Sequence, residues 1–374
     1  QLWRRLQGLA FAPELQSSRS LNAVHLDWSC ERSADVVKVE PPKGDPMRAL
    51  DPVTNDRGAS PYHALVNAGK RVVTLDLKVE TDKDIFRRLV QSADVLMESY
   101  RPGVMARLGF SYDTLKKMNP ALVHCALSGF GQNGPMRLTG GHDINYVAAA
   151  GQLGLTGSAA APHMAYPMVA DYAGAMQATV AILGALFGRG KTGQGAYLDV
   201  AMSDSVLAWQ SQALTALHRG NAPARGQSLL TGGAAFYGVY ETADNRFVSL
   251  GAIETVFWEN FCNAVGRADL IGRQNEPLPQ TDLIKQVSAI FKQKDRDAWD
   301  DVFSDVDCCY HPVLDIDEVA AHPQNAARGL IQPQAGTDAI AVLQPFWTND
   351  KPPSPREPLR EARAADIVDD WKRD

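Results

Sequence analysis

GGHDINY, Gly140 to Tyr146, sets two glycines, an imidazole, a carboxylate and an amide side by side, just after an apolar run and a glycine-rich loop. Such polar density belongs to sites. His142 offers a proton acceptor and Asp143 an anion at one point of the chain. A second carboxylate, Asp171, lies in MVADYAGA, an otherwise apolar stretch where an acid is costly to bury unless it is hydrogen-bonded or put to use. A third acid, Glu254, ends SLGAIE. An imidazole has an unperturbed pKa of about 6.5, and desolvation can raise a carboxyl toward the same range, so these groups can trade a proton near neutrality. Each also has a structural alternative: Asp171 as the N-cap of a following helix, and a lone His142 as an ordinary structural side chain.

The elements that must hold these residues follow an alternating rhythm. VVKVE (Val36 to Glu40), RVVTLDL (Arg71 to Leu77), DVLME (Asp94 to Glu98) and LVHCALS (Leu122 to Ser128) are predicted strands. TDKDIFRRLVQSA between the second and third predicts a helix with Thr81 and Asp84 at capping-box spacing and Phe86, Leu89 and Val90 on one apolar face. That is a βαβ unit, the pattern of a parallel sheet whose ligands sit beyond the carboxyl ends of the strands. Ala170 to Arg189 predicts one long helix ended by the glycines of GRGKTGQG, with AYLDVAM as a further strand. From Phe236 to Ala252 apolar residues alternate with polar or small ones around ADNR, as in an antiparallel hairpin, and a small α+β domain begins there. The fold class is therefore α/β, a Rossmann-like parallel-sheet domain plus a smaller α+β domain.

With 374 residues, 45% of them hydrophobic and 21% charged, the chain is long enough for two domains with full cores. A net charge of −6 and the lack of any basic run argue against nucleic acid. Five scattered cysteines, Cys30, Cys125, Cys262, Cys308 and Cys309, fit a reducing compartment and no metal motif, and the adjacent pair reads as core packing. The apolar stretch Tyr172 to Phe187 contains Gln177 and adjoins Asp171, so it reads as a buried helix rather than a membrane span, and the basic amino end is too broken by Pro13 and Glu14 for a secretory signal. A cytoplasmic protein is expected. GFGQNG matches G-x-G-x-x-G but is followed by Pro135 and Met136 instead of a helix, which makes it a tight loop; GRGKT lacks Walker spacing, and no G-x-S-x-G elbow surrounds Ser128 or Ser203.

The stretches ADVVKVE, GKRVVTLDLK, ADVLMESYRPGVMARLG, NPALVHCALSGFGQNGP, GGHDINY, MVADYAGA, GKTGQGAYLDVAM, GGAAFYGVYETAD and VSLGAIE, in this order, resemble the family III CoA transferase and racemase group, also called CaiB/BaiF. The resemblance is to its racemase branch, since the transferases generally keep the Asp of the GHD triplet without the preceding His. It implies inversion of the α-carbon of 2-methylacyl-CoA thioesters, with His142 and Asp171 as two acid/base residues and Glu254 hydrogen-bonded to the histidine. Inversion takes a proton from one face and returns one to the other, so two groups must flank the carbon. Backbone N–H groups at Asp143 and its neighbours are expected to meet the enolate oxygen. The alternative is a CoA transferase in which Asp143 carries the acyl group as a mixed anhydride.

The resemblance also implies an acyl-CoA substrate with no metal and no separate cofactor, and an interlocked homodimer without nucleic-acid or membrane partners. Its domains would be 1–219 and 316–374 for the CoA-binding part and 220–315 for the small one. Leu75, Lys70, Arg71 and Arg101, with Gly141 and Tyr146, are the expected CoA contacts, guanidinium forks suiting phosphate oxygens. Pro41 stands where many racemase relatives have an Arg, leaving Lys43 or Arg48 to substitute, and ELQSSRSLNAVHLDWSCERS departs from the family pattern, so the first strand and helix are expected to be altered or replaced.

Overall fold

A computed structural model of the chain describes residues 6–11, 34–49, 60–334 and 340–373. The chain divides into two compact units, one of residues 1–150, 166–209 and 323–374, the other of residues 151–165 and 210–322.

The first unit holds a seven-stranded sheet in which every neighbouring pair is parallel. Across the sheet run the short strand Arg360–Glu361, β3 (Arg71–Thr74), β2 (Ala34–Glu40), β1 (Leu6–Phe11), β4 (Val95–Glu98), β5 (Val123–Ser128) and β6 (Ala196–Ala201). Strand order reverses at β1, the switch point of a doubly wound sheet. Every residue of β4 and β5 is buried, which is why these strands read as unbroken apolar runs.

Three expectations change. The first strand is in place: Leu6–Phe11 pairs with both β2 and β4, while the divergent stretch after it lies outside the described residues. The strand expected as far as Leu77 stops at Thr74, because the Asp76 N–H turns away to the Asp82 carboxylate at 2.8 Å. The helix Glu80–Ser92 buries Phe86, Leu89 and Val90 as expected, but it starts at Glu80 after Val79, so Thr81 falls inside the first turn and no capping box with Asp84 forms.

The first core gathers Val37, Val39, Phe86, Leu89 and Phe110 with Ile367, Val368 and Trp371 from the helix Ala364–Arg373. Trp371 also donates to Asp35 at 2.7 Å. The long helix spans Val169–Thr192 and closes on Gly193 at φ 69°. Only one face is buried: Ala170, Asp171, Ala173, Gly174, Ala175, Ala178 and Ile182 pack inward, while Met176, Val180, Leu183 and Phe187 are exposed. The expectation of a buried helix holds for that face alone. By length and composition it is long and apolar enough to cross a membrane.

In the second unit, β7 (Tyr237–Glu241) and β8 (Phe247–Gly251) form the expected antiparallel hairpin, extended by β9 (Tyr310–Pro312). Asn245 takes φ 60° in the connecting turn, a conformation asparagine tolerates. Trp258, Phe261, Phe291, Trp299 and Phe303 fill a second core, which Cys308 joins; Cys309 is exposed, so only the first of the pair packs inside. Cys30 lies outside the described residues.

Candidate active site

In the first unit, the loop after β5 and the start of the long helix come together. GFGQNG turns at Gly131 and Gly134, both near φ 80°, and the Gln132 N–H bonds both carboxylate oxygens of Asp199 on β6 at 3.1 Å. It is a tight loop. GGHDINY then enters the helix Asp143–Ala149, with the His142 N–H held by the Asn145 side chain at 3.0 Å.

Tyr146 and Gly141, expected at the cofactor, brace this segment from within. The Tyr146 hydroxyl donates to the Gly141 carbonyl at 2.5 Å, and a Cβ added to Gly129 or Gly141 would lie 2.4 or 2.8 Å from the Tyr146 ring. The imidazole of His142 belongs to an exposed residue. The expected oxyanion donors open the same seven-residue helix, where the N–H groups of Asn145 and Tyr146 are taken by the His142 carbonyl.

Asp143 reaches across to the long helix. Its Oδ1 accepts the N–H groups of Ala170, at 2.5 Å, and Asp171, at 3.1 Å, two of the donors a helix leaves unsatisfied in its first turn. The N-cap alternative for Asp171 fails, since the helix begins at Val169 and Asp171 sits inside its first turn. Two carboxylates share one helix terminus, and Asp143 takes the hydrogen bonds. Asp171 is 1% exposed, and neither of its oxygens has a hydrogen-bond partner among the described residues. Burial first, and then the Asp143 charge, push its pKa up to about 7. Asp143 is itself pushed up by burial while the N–H groups of 169–171 pull it down.

Glu254 lies in the second unit, exposed, just before the helix Thr255–Ala264. Its charge adds to burial and Asp307 in raising the Cys309 thiol.

The expected CoA contacts separate. Leu75 is buried past the end of β3 with its N–H on the Glu40 carbonyl at 2.9 Å. Lys70 is buried too, donating to the Val66 carbonyl at 2.8 Å and to Asn67 at 3.3 Å, which closes the end of the helix Pro61–Val66. Arg71 binds Asp35 and Asp370. Lys70 precedes β3 and Arg71 opens it, at the end of the strand away from the carboxyl edge where ligands sit in such sheets. Arg101 is exposed in the turn after β4, which the Tyr100 N–H fastens to Glu98 at 2.6 Å, and it has no ion pair among the described residues. Arg48 is engaged by Glu40 and Glu361, both at 2.8 Å, whereas Lys43 is exposed.

Motif reasoning missed a buried ionic cluster. One ligand atom from each of Glu40, Asp45 and His63 falls within a sphere that could hold a metal ion. The Lys38 ammonium is already there, 2.5 Å from Asp45, 3.1 Å from Glu40 and 3.4 Å from the His63 ring nitrogen, so these residues form a closed salt cluster around a lysine. Burial raises Glu40, but His63, Lys38 and Arg48 together hold it well below the usual carboxylate range. Periodicity marks none of this, because Lys38 lies inside a strand that reads as apolar.

Beyond β5 of a doubly wound parallel sheet, two carboxylates meet at the start of one helix, an arrangement of ionisable groups that proton or acyl transfer can use. The chain belongs to CoA-transferase family III, whose model matches residues 32–359. It is 34% identical over 327 residues to the alpha-methylacyl-CoA racemase of Homo sapiens, covering 84% of this chain and 85% of that protein. It is likewise 35% identical over 314 residues to the acetyl-CoA:oxalate CoA-transferase of Acetobacter aceti, covering 81% and 79%. A crystal structure of a CaiB/BaiF family protein from Brucella suis superposes with a TM-score of 0.81 at 26% identity over 98% of both chains. The α/β fold with its parallel sheet and the family expectation are both borne out.

Proposed function

We propose that this enzyme is an acyl-CoA racemase that inverts the α-carbon of 2-methylacyl-CoA thioesters by two-base proton transfer through an enolate. Asp171 carries the reading: a buried carboxyl with a pKa near 7 and no committed hydrogen bonds can both give and take a proton at working pH. His142, one residue from the carboxylate that positions the Asp171 backbone, is the second acid/base group. One residue removes the α-proton, the enolate collects the charge on the thioester oxygen, and the other returns a proton to the opposite face. Glu254 is assigned to orient the imidazole through its other ring nitrogen. The coenzyme A moiety of the substrate is assigned to the carboxyl edge of the sheet near Leu75 and Arg101, with Lys43 as the exposed cation after Pro41. No further cofactor or metal is proposed.

A transferase using Asp143 as nucleophile is the second reading, favoured by the Acetobacter aceti relative. Against it, Asp143 Oδ1 is committed to two N–H groups of the long helix. A homodimer is also proposed. Met176, Val180, Leu183 and Phe187 recur at helical spacing on the exposed face of the long helix, and apolar stripes of this kind support a protein partner.

Incubation with one epimer of 2-methyldecanoyl-CoA in D₂O, with succinate present, tests the function. Deuterium uptake at the α-carbon with epimerisation, lost in His142→Ala and Asp171→Ala, is expected. Succinyl-CoA formation without exchange would replace the racemase with the transferase.

A further inference from the structure

The second unit carries an imidazole pair that the proposed reaction does not use. His311 lies in β9, registered opposite Ser249 of β8, whose hydroxyl donates to the His311 carbonyl at 3.0 Å. His322 ends the turn that follows, its N–H and that of Ala321 both bonding the Glu318 carbonyl at 3.1 Å. The Glu318 side chain is locked in its turn. Buried Arg296 holds it at 2.5 and 2.7 Å, Arg246 holds it at 2.8 Å, and it accepts the Asp315 N–H at 2.7 Å. Both histidines therefore stand on backbone that a sheet or an ion-pair network fixes in place.

Their ring centroids are 5.2 Å apart, with the planes inclined at 45°. His311 is exposed and His322 half-buried, so an ion from solvent can reach the pair. The Nδ1 of His311 lies 2.8 Å from the Pro312 carbonyl oxygen. A carbonyl can only accept, so Nδ1 carries the proton and Nε2 presents a lone pair. A ring N–H given to a backbone carbonyl is the outer support by which metal-ligating histidines fix their tautomer. The spacing agrees. A tetrahedral ion with bonds of about 2.0 Å to two imidazole nitrogens sets the ring centroids roughly 5 Å apart. The buried cluster of Glu40, Asp45 and His63 differs, because the Lys38 ammonium already occupies it.

We propose that His311 and His322 form a binding site for a divalent transition-metal ion of the zinc class, with water at the remaining positions. The ion is structural rather than catalytic: it staples β9 to the last residue of the second unit across the turn between them. Imidazole donors suit such ions, whereas Mg²⁺ takes oxygen ligands.

The test is a zinc titration of the full chain, free of any histidine tag, in competition with a chromophoric chelator. One Zn²⁺ per chain is expected to bind at micromolar free zinc, and at least about tenfold more weakly in His311→Ala and in His322→Ala. His218→Ala, which removes an exposed histidine at the end of the helix Ser211–His218, is expected to bind as wild type. Co²⁺ in place of Zn²⁺ should give visible absorption bands of tetrahedral intensity that vanish in both pair variants. Millimolar Mg²⁺ should displace neither ion. His311→Gln and His322→Gln, which keep a polar side chain of similar size, replace any alanine variant that does not fold. Absence of zinc binding, wild-type affinity in either pair variant, equal weakening in His218→Ala, or displacement by Mg²⁺ overturns the proposal.

Discussion

The backbone N–H of Asp171 donates to the Asp143 carboxylate at 3.1 Å, so the acid that would move protons is positioned by the acid beside the histidine. The same contact couples them electrically. Asp143 occupies the positive end of the long helix and leaves Asp171, in the first turn, with only its charge.

Asp143→Asn keeps the shape of the cap and removes the charge. The pKa of Asp171 is expected to fall, because one of the two causes raising it is gone, and the pH profile of α-proton exchange should move to lower pH with rates within about tenfold of wild type. A transferase would instead lose its nucleophile and all turnover. Exchange and CoA transfer, measured across pH 5 to 9, tell these apart.

The raised pKa of Asp171 has a sign for stability. The folded state holds this proton more tightly than the unfolded chain, so stability is lost as pH rises from about 4 through about 7. Asp171→Asn, which cannot ionise, should raise the melting temperature at pH 8 and give no gain below pH 4, with a ceiling of about 4 kcal/mol. Thermal melts at both pH values check it; a variant less stable than wild type at pH 8 contradicts it.

Gly129→Ala should damage the site without touching a charged group. Its Cβ would sit 2.4 Å from the Tyr146 ring, whose displacement breaks the bond to the Gly141 carbonyl and shifts the His142 segment. A loss of exchange of at least about tenfold is expected, from geometry disturbed at one remove. Tyr146→Ala combined with Gly129→Ala frees the space; activity no lower in the double variant than in Gly129→Ala alone would confirm the clash as the cause.

Val180→Glu together with Phe187→Glu places two charges on the exposed apolar stripe. Sedimentation should show a dimer converted to monomer, with each core unaffected, because both side chains are exposed and neither is a member of a core. An unchanged mass would assign the stripe to another partner.

Residues buried by strands were legible in the sequence because parallel strands covered on both faces demand unbroken apolar runs, as VHCALS does. Asp171 was legible for a related reason, an acid among alanines and valines being expensive without a purpose. Two things were not. That Asp143 rather than Asp171 caps the long helix depends on a contact between residues far apart in the chain, and no local capping motif encodes it. Lys70 and Arg71 read as phosphate ligands by charge, yet their ends are spent on Val66, Asn67, Asp35 and Asp370, partners that only the fold brings near.

The strand Arg360–Glu361 completes one edge of the sheet by pairing with β3, and Ile367, Val368 and Trp371 fill the core over the helix Glu80–Ser92. Both pieces follow the whole of the second unit in the chain. A ribosome therefore delivers most of the sheet long before the segment that seals it, and the second unit, complete once residue 322 is made, can fold while the first stays open. The active-site loop, built on β5, acquires a finished scaffold only after synthesis has passed residue 371, so an interrupted translation product should be a chaperone client rather than a partial enzyme.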